Sequence, residues 1–197
     1  MPSYSSLLKH PNLDDWLSIS GDGRFTVRSG KVDIGQRIST AVALLVAEEL
    51  DIEMDRIDLI RAETGLSPDE GVTSGSNSMA ETGNAVRLAS ATLRHHLLGL
   101  ASRALEVDVT SLEVDDGVIQ SRATNRSTNY WELTGGKPFG IVVDPDAVVK
   151  APDQLKRIGQ NVIARGMVEI VTGKPYFVHD LNMPGMLHAR IVRPPHY

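Results

Sequence analysis

The sequence predicts an α+β fold, a mixed sheet with two packed helices. Three observations carry this. Short stretches of alternating character, near 24–34, 56–60 and 112–119, have the two-residue period of half-buried strands. Two longer stretches, from Ile38 and from Ser78, repeat their apolar residues every three to four positions, as helices do. The 197 residues are 41% hydrophobic and 23% charged, the balance of a chain able to bury a core as one ordinary domain or two small ones.

Taken in order, the first 20 or so residues read as an irregular lead-in that Trp16, Leu17 and Ile19 tack onto the core. Arg24-Phe25-Thr26-Val27-Arg28 alternates, Ser29-Gly30 is a turn pair, and Lys31-Val32-Asp33-Ile34 alternates again, so 24–34 is expected to be a hairpin. Ile38, Val42, Leu45, Val46 and Leu50 then form one helical face. Its last turn runs into Asp51, an acid that opposes the helix dipole, so packing is expected to stop the helix. Arg56-Ile57-Asp58-Leu59-Ile60 is the next strand, which suggests an α+β or βαβ-type unit.

Residues 63–78 have no hydrophobic period and are rich in Gly, Ser, Thr, Pro and Asn; a loop this long is more often functional than idle. Ser78-Met79-Ala80-Glu81 has the capping-box pattern, and Val86, Ala89, Leu93, Leu97, Ala101 and Ala104 carry a long helix to about Leu105. Leu112-Glu113-Val114-Asp115, Asp116-Gly117 and Val118-Ile119 predict a hairpin. Residues 128–133 read as a short helix capped by Thr128, and 144–156, with Pro145 and Pro152, as a linker with a domain boundary near Pro152. Beyond it, 167–171, 176–178 and 186–192 read as strands. That unfinished apolar sheet is too small for its own core, so the chain is expected to be part of something larger or to pair with another subunit, with self-association through exposed strand edges.

Composition removes several classes of function. There is no cysteine, hence no thiolate metal site, iron–sulfur cluster or cysteine nucleophile from this chain. The net charge of −5 argues against a general nucleic-acid binder, and no run of about 20 apolar residues spans a membrane. Residues 1–13 are polar and lack the apolar core of a signal peptide, and the sequence assigns no compartment. His95 and His96 are adjacent on a helix and cannot face the same way; no ligand spacing of the zinc-site kind occurs among the six histidines, so no protein-ligated metal is expected. Asp69 and Glu70 read as solvated loop charges, and no catalytic set is found.

Two segments remain as candidate binding sites. Ser74-Gly75-Ser76-Asn77-Ser78 precedes a helix, where free N–H groups and the positive helix end favour an anion such as phosphate and serine hydroxyls can donate. It matches neither a Walker loop nor the dinucleotide fingerprint, and on spacing alone an ordinary capped loop is the other reading. Gly35-Gln36 lies between strand and helix, and Gln36 offers a donor and an acceptor to a pterin or purine edge, or faces water at a bend.

Gly30-Lys31-Val32-Asp33-Ile34-Gly35-Gln36, Ala47-Glu48-Glu49-Leu50-Asp51 and Glu70-Gly71-Val72-Thr73-Ser74-Gly75-Ser76-Asn77-Ser78 closely resemble the molybdopterin-binding subunit of the xanthine dehydrogenase/aldehyde oxidase family, in its bacterial two-subunit form typified by the isoquinoline 1-oxidoreductase beta subunit. Val171-Thr172-Gly173-Lys174-Pro175, His179-Asp180-Leu181 and Pro184-Gly185-Met186-Leu187-His188-Ala189 resemble the start of that subunit's α/β hammerhead domain. The similarity runs in order over nearly all of 13–195.

The resemblance implies that 1–150 is part of a molybdopterin-binding domain and 151–197 an incomplete α/β hammerhead domain. It implies a molybdenum hydroxylase that oxidises aldehydes or N-heterocycles with water as oxygen donor. The cofactor would be molybdopterin cytosine dinucleotide, held only in the complete assembly with the remainder of the subunit and a [2Fe-2S] iron–sulfur subunit. Gln36 matches the family's Gly-Gln-Gly, and Ser76, Asn77 and Ser78 match its cofactor-contacting segment. Arg37 stands where the family has the second Gly, and either alters the backbone or faces a phosphate. The family's catalytic glutamate lies in later sequence, so this chain alone is expected to be inactive. The competing expectation is a stand-alone, non-catalytic binding or interaction module that keeps the fold.

Overall fold

The computed structural model describes residues 5–175 and 177–196. The chain divides into two units, Met1–Val162 and Ile163–Tyr197. In the first, a helical turn, α1 (Ser5–Lys9), precedes strand β1 (Leu17–Ile19), which turns back through Gly23 into β2 (Phe25–Arg28). The two are antiparallel, with Leu17 opposite Val27 and Ile19 opposite Phe25. Helix α2 (Ile38–Leu50) then carries the chain across to β3 (Ile57–Ile60), which lies parallel to β2 with Phe25 beside Ile57. Parallel neighbours need such a crossover, and here it is the predicted amphipathic helix.

Only part of the expected hairpin at 24–34 forms. Residues 25–28 are a strand, but β1 is its antiparallel partner, while 31–34 pair with no strand. Leu17 and Ile19 are buried where a lead-in was expected, so β1 joins the core instead of merely tacking onto it. The missed signal is Ser20-Gly21-Asp22-Gly23, a turn cluster between two alternating runs.

A π-turn, Met79–Gly83, leads into α3 (Asn84–Leu105), whose 22 residues span about 33 Å. The capping box at 78–81 does not form. Ser78 already has helical dihedrals and makes no cap, and Glu81 instead accepts from the Ser5 hydroxyl. Strands β4 (Leu112–Asp115) and β5 (Val118–Ser121) form the predicted hairpin, and β6 (Ser127–Asn129) adds a third antiparallel strand. Helix α4 (Tyr130–Thr134) follows directly; its cap is Asn129, whose Oδ1 accepts from the Glu132 N–H, and not Thr128, which lies in β6.

The core lies between the β1–β3 sheet and the packed pair α2 and α3. Trp16, Phe25, Val42, Val46, Leu50, Ile57, Leu93 and Leu97 are fully buried there, and the Tyr130 ring meets Phe25 edge-on at 6.1 Å between centroids.

The stretch expected to be a linker is fastened to α2. The fully buried Glu48 carboxylate accepts from the successive backbone N–H groups of Lys156, Arg157 and Ile158 at 2.9, 2.7 and 2.8 Å. Burial would raise the Glu48 carboxyl, but these three donors and the nearby Lys150 ammonium hold it below the usual carboxylate range. Glu49 accepts from Lys150 N–H and pairs with Arg87 and Arg94.

In the second unit, 167–171 form a helix, α5 (Met167–Val171), not a strand. No strand partner exists for it among the described residues, so local helical bonds satisfy its backbone groups. For the same reason 186–192 carry no strand pairing, and Leu187, Ile191 and Val192 are exposed. Of the expected strand at 176–178, Tyr176 lies outside the described residues, and Val178–Asp180 is a single 3-10 turn.

Candidate functional site

Because β2 and β3 are parallel, the loops that follow them, 29–37 and 61–78, leave the same edge of the sheet side by side. The carboxyl ends of parallel strands are where ligands collect in α/β folds. The two loops are joined at several points. A Cβ on Gly30 would stand 2.1 Å from the Pro68 carbonyl oxygen, so only glycine allows this approach. Gly30 N–H donates to the Glu70 carboxylate at 2.8 Å, and Val32 N–H donates to the Thr73 hydroxyl at 2.9 Å.

The first loop is built on Asp33. Its Oδ1 accepts from the N–H groups of Gly35 and Arg37, both at 3.1 Å, and its Oδ2 accepts from the Ser39 hydroxyl. Burial acts to raise this carboxyl, but the Ser39 hydroxyl and the N–H groups of Gly35, Arg37 and Ser39 outweigh it and hold it below the usual range. Asp33 thereby supplies the capping that no residue immediately before α2 supplies. Gln36 closes the same loop on itself, its Oε1 accepting from Ile34 N–H at 2.7 Å and its Nε2 donating to the Val32 carbonyl at 2.8 Å. One Nε2 proton and one Oε1 lone pair are left for another partner. Arg37 sits at φ 62°, in the left-handed region that favours glycine, so this loop holds a non-glycine residue in a conformation open to glycine at lower cost.

In the second loop Ser76 is also left-handed, at φ 58°, and Asn77 N–H closes the turn onto the Ser74 carbonyl. Asn77 in turn takes Glu81 N–H on its carbonyl at 2.8 Å, tying the loop to the helix start.

The loops enclose a concavity of about 210 Å³ lined by Ile34, Gln36, Thr73, Ser74, Gly75, Ser76 and Ser78. It brings together three of the four residues the sequence singled out, Gln36, Ser76 and Ser78; Asn77 stands just behind, with its side-chain amide beside Gly75. The lining offers hydroxyls, an amide and backbone N–H groups and no carboxylate. Among the described residues, the N–H groups of Gly75 and Ser76 have no protein acceptor. This donor set suits an anion. Three other, more open concavities differ from it: that of about 310 Å³ is lined by three carboxylates and no cation, and those of about 380 and 590 Å³ mix carboxylates with basic side chains, Arg28 in the one and Arg122, Lys150 and Lys156 in the other.

Sequence reasoning missed what holds the site. Asp33 was visible as an Asx-type residue two before a glycine, whereas nothing local marked Lys31 or Glu70. Glu70 is not a solvated charge: its carboxylate accepts from Gly30 N–H and from the Ser6 and Thr82 hydroxyls. Asp69 is exposed and is held below the usual range, first by the Gly71 N–H and then by Lys9.

Residues 3–164 match the family model of the molybdopterin cofactor-binding domain. The chain belongs to this family. It is a molybdenum-cofactor-binding domain of the xanthine dehydrogenase/aldehyde oxidase type, in keeping with its motifs. It is 33% identical over 190 residues to a nicotinate dehydrogenase subunit of Pseudomonas putida, an alignment covering 96% of this chain and 16% of that protein. It is 25% identical to the beta subunit of isoquinoline 1-oxidoreductase from Brevundimonas diminuta, covering 92% of this chain and 28% of that protein. Among solved structures, CO dehydrogenase from Oligotropha carboxidovorans superposes with a TM-score of 0.53 at 27% identity, over 60% of this chain and 15% of that one. The chain thus spans under a third of the length of these relatives. The nicotinate and isoquinoline relatives are each named as one subunit of an enzyme. No helix among the described residues is long and apolar enough to cross a membrane.

Proposed function

We propose that the concavity between Gln36 and residues 73–78 receives the phosphate groups of a molybdopterin cytosine dinucleotide. The observation that carries this is the meeting of two loops from adjacent parallel strands around a small space that offers hydrogen-bond donors and no carboxylate. Its volume of about 210 Å³ is below the ~300–1,000 Å³ that encloses a whole small-molecule ligand, and suits a phosphate segment whose two ends extend beyond it. Ser76 and Ser78 would donate hydroxyls, Gly75 and Ser76 their N–H groups, and Gln36 its remaining amide proton; Asn77 would fix the turn that presents them. Family resemblance supports the same four residues. When bound, the cofactor supplies hydroxylation chemistry, with water as oxygen donor and electrons leaving through iron–sulfur centres.

The substrate class we propose is an N-heterocycle or an aldehyde, the former favoured by relatives named for nicotinate and isoquinoline. A [2Fe-2S] subunit and the remaining segments of a molybdopterin subunit would complete the assembly, with 151–197 as the opening of its α/β hammerhead domain. No residue of this chain is assigned a catalytic role, so the isolated polypeptide should not turn over substrate.

The test is an NMR titration of the 197-residue chain with cytidine 5′-diphosphate. Amide shifts centred on Gly75, Ser76 and Ser78, weakened in Ser78→Ala, are expected. Shifts centred elsewhere, or none up to millimolar nucleotide, would overturn the phosphate reading. Substrate-dependent dye reduction by the isolated chain would overturn its inactivity.

A further inference from the structure

We infer that Lys31 and Glu70 form a reciprocal clasp that sets the spacing of the two cofactor loops, which makes Glu70 a positioning residue for the site. This rests on the phosphate reading above for its functional meaning, but its geometry stands apart from it.

Three consecutive residues of the first loop, Gly30, Lys31 and Val32, each reach across to the second. Gly30 N–H donates to Glu70 Oε2 at 2.8 Å. The Lys31 ammonium, on a residue only 6% exposed, returns the contact by donating to the backbone carbonyls of Glu70 at 2.7 Å and Val72 at 3.1 Å. Val32 N–H donates to the Thr73 hydroxyl. The Glu70 side chain therefore holds the first loop while its own carbonyl is held by that loop. Its other oxygen, Oε1, accepts from Thr82 Oγ1 at 2.6 Å and Ser6 Oγ at 3.0 Å, which adds the π-turn and α1 to the same anchor. One carboxylate thus ties the four segments that surround the serine turn.

The clasp also has an electrostatic side. Among the described residues Lys31 pairs with no carboxylate; its partners are carbonyls. Its positive charge, which also acts on exposed Asp69, sits one residue from Thr73, which lines the concavity. A buried hydrogen-bonded cation in that position favours an anion in the space beyond it.

The test compares Glu70→Ala, Glu70→Gln and Lys31→Met in the 197-residue chain, by amide hydrogen exchange and cytidine 5′-diphosphate titration. In Glu70→Ala, exchange at the bonded amides Gly30, Val32 and Asn77 should accelerate about tenfold or more, as loss of charge-assisted bonds implies, while Leu93 and Leu97 in α3 keep their protection. Nucleotide affinity should fall about tenfold in Glu70→Ala and in Lys31→Met. Glu70→Gln, which keeps an acceptor for Gly30 and can donate to both hydroxyls, should recover most of it. Uniform acceleration that includes α3, or Glu70→Ala indistinguishable from the parent, would overturn the clasp. Should Glu70→Ala fail to fold, Glu70→Gln and Lys31→Met decide: selective acceleration at Val32 and Asn77 in Lys31→Met upholds the clasp, and parental exchange there overturns it. A parent that binds no nucleotide refutes the phosphate reading alone, and the exchange pattern still decides the clasp.

Discussion

Helix α2 has a carboxylate that captures backbone N–H groups near each end, and the two differ in what surrounds them. At the amino end Asp33, half-buried, takes the amides of Gly35, Arg37 and Ser39 and one hydroxyl, in a position where the helix dipole already favours negative charge. Near the carboxyl end Glu48 is fully buried, where dipole and desolvation both oppose it, and it takes three successive amides with Lys150 nearby. Asp51, at the same end, pairs with Lys150 at 2.6 Å. The two carboxylates take similar numbers of donors, and the end of the helix that disfavours anions adds a cation, Lys150, to its amides. The helix stop that sequence ascribed to packing alone is also electrostatic.

This contrast can be broken by removing each anchor. The largest effect is expected for Glu48→Ala, which strands three backbone amides while Lys150 keeps its pair with Asp51; a loss of about 3–5 kcal/mol in urea denaturation is expected from three donors left without their charged acceptor. A loss below about 1 kcal/mol would mean that 156–158 find other acceptors at no cost. Acid should act on both anchors. Each carboxyl is held below its ordinary value, 4.5 for Glu48 and 3.8 for Asp33, so each stabilises the fold above those values. That stability is lost as pH falls from there through the lower folded values. Urea midpoints measured down a pH series should drop in this window, and less steeply in Glu48→Gln.

The next effect is Asp33→Ala, a loss of about 0.5–2 kcal/mol, the range for a helix cap. Its nucleotide affinity should fall in parallel, because Gly35 and Arg37 lose their common acceptor; unchanged affinity would separate capping from site geometry. The smallest is Arg37→Gly. Relief of the left-handed cost of roughly 1–2 kcal/mol, less the entropy of a freer unfolded chain, gives a net gain below about 1 kcal/mol. A melting temperature lower than the parent's would show that the Arg37 side chain contributes more than its backbone conformation costs.

The sequence disclosed what repeats locally. The helical period of α2 and α3, the alternation of β3 and the Asp116-Gly117 turn lie within reach of a few neighbours, and each appears where expected. Pairing between distant segments was not legible. Phe25 had two plausible partners, the alternating 31–34 and the short 17–19, and the choice follows from Gly30 and Lys31 turning toward a loop some 40 residues on. The candidate site divides the same way. Ser76, Ser78 and Gln36 announced themselves by composition next to a helix start, whereas Glu70 resembled any acid in a polar loop, because its three donors, Ser6, Gly30 and Thr82, come from three separate stretches.

The crossover from β2 through α2 to β3 bears on the order of biosynthesis. All three strands of the first sheet and the helix joining them lie within residues 17–60, ahead of every serine in 73–78. A ribosome therefore releases the platform before it releases the turn that rests on it. The core beneath that platform is closed only by α3, whose Leu93 and Leu97 follow the turn in the chain.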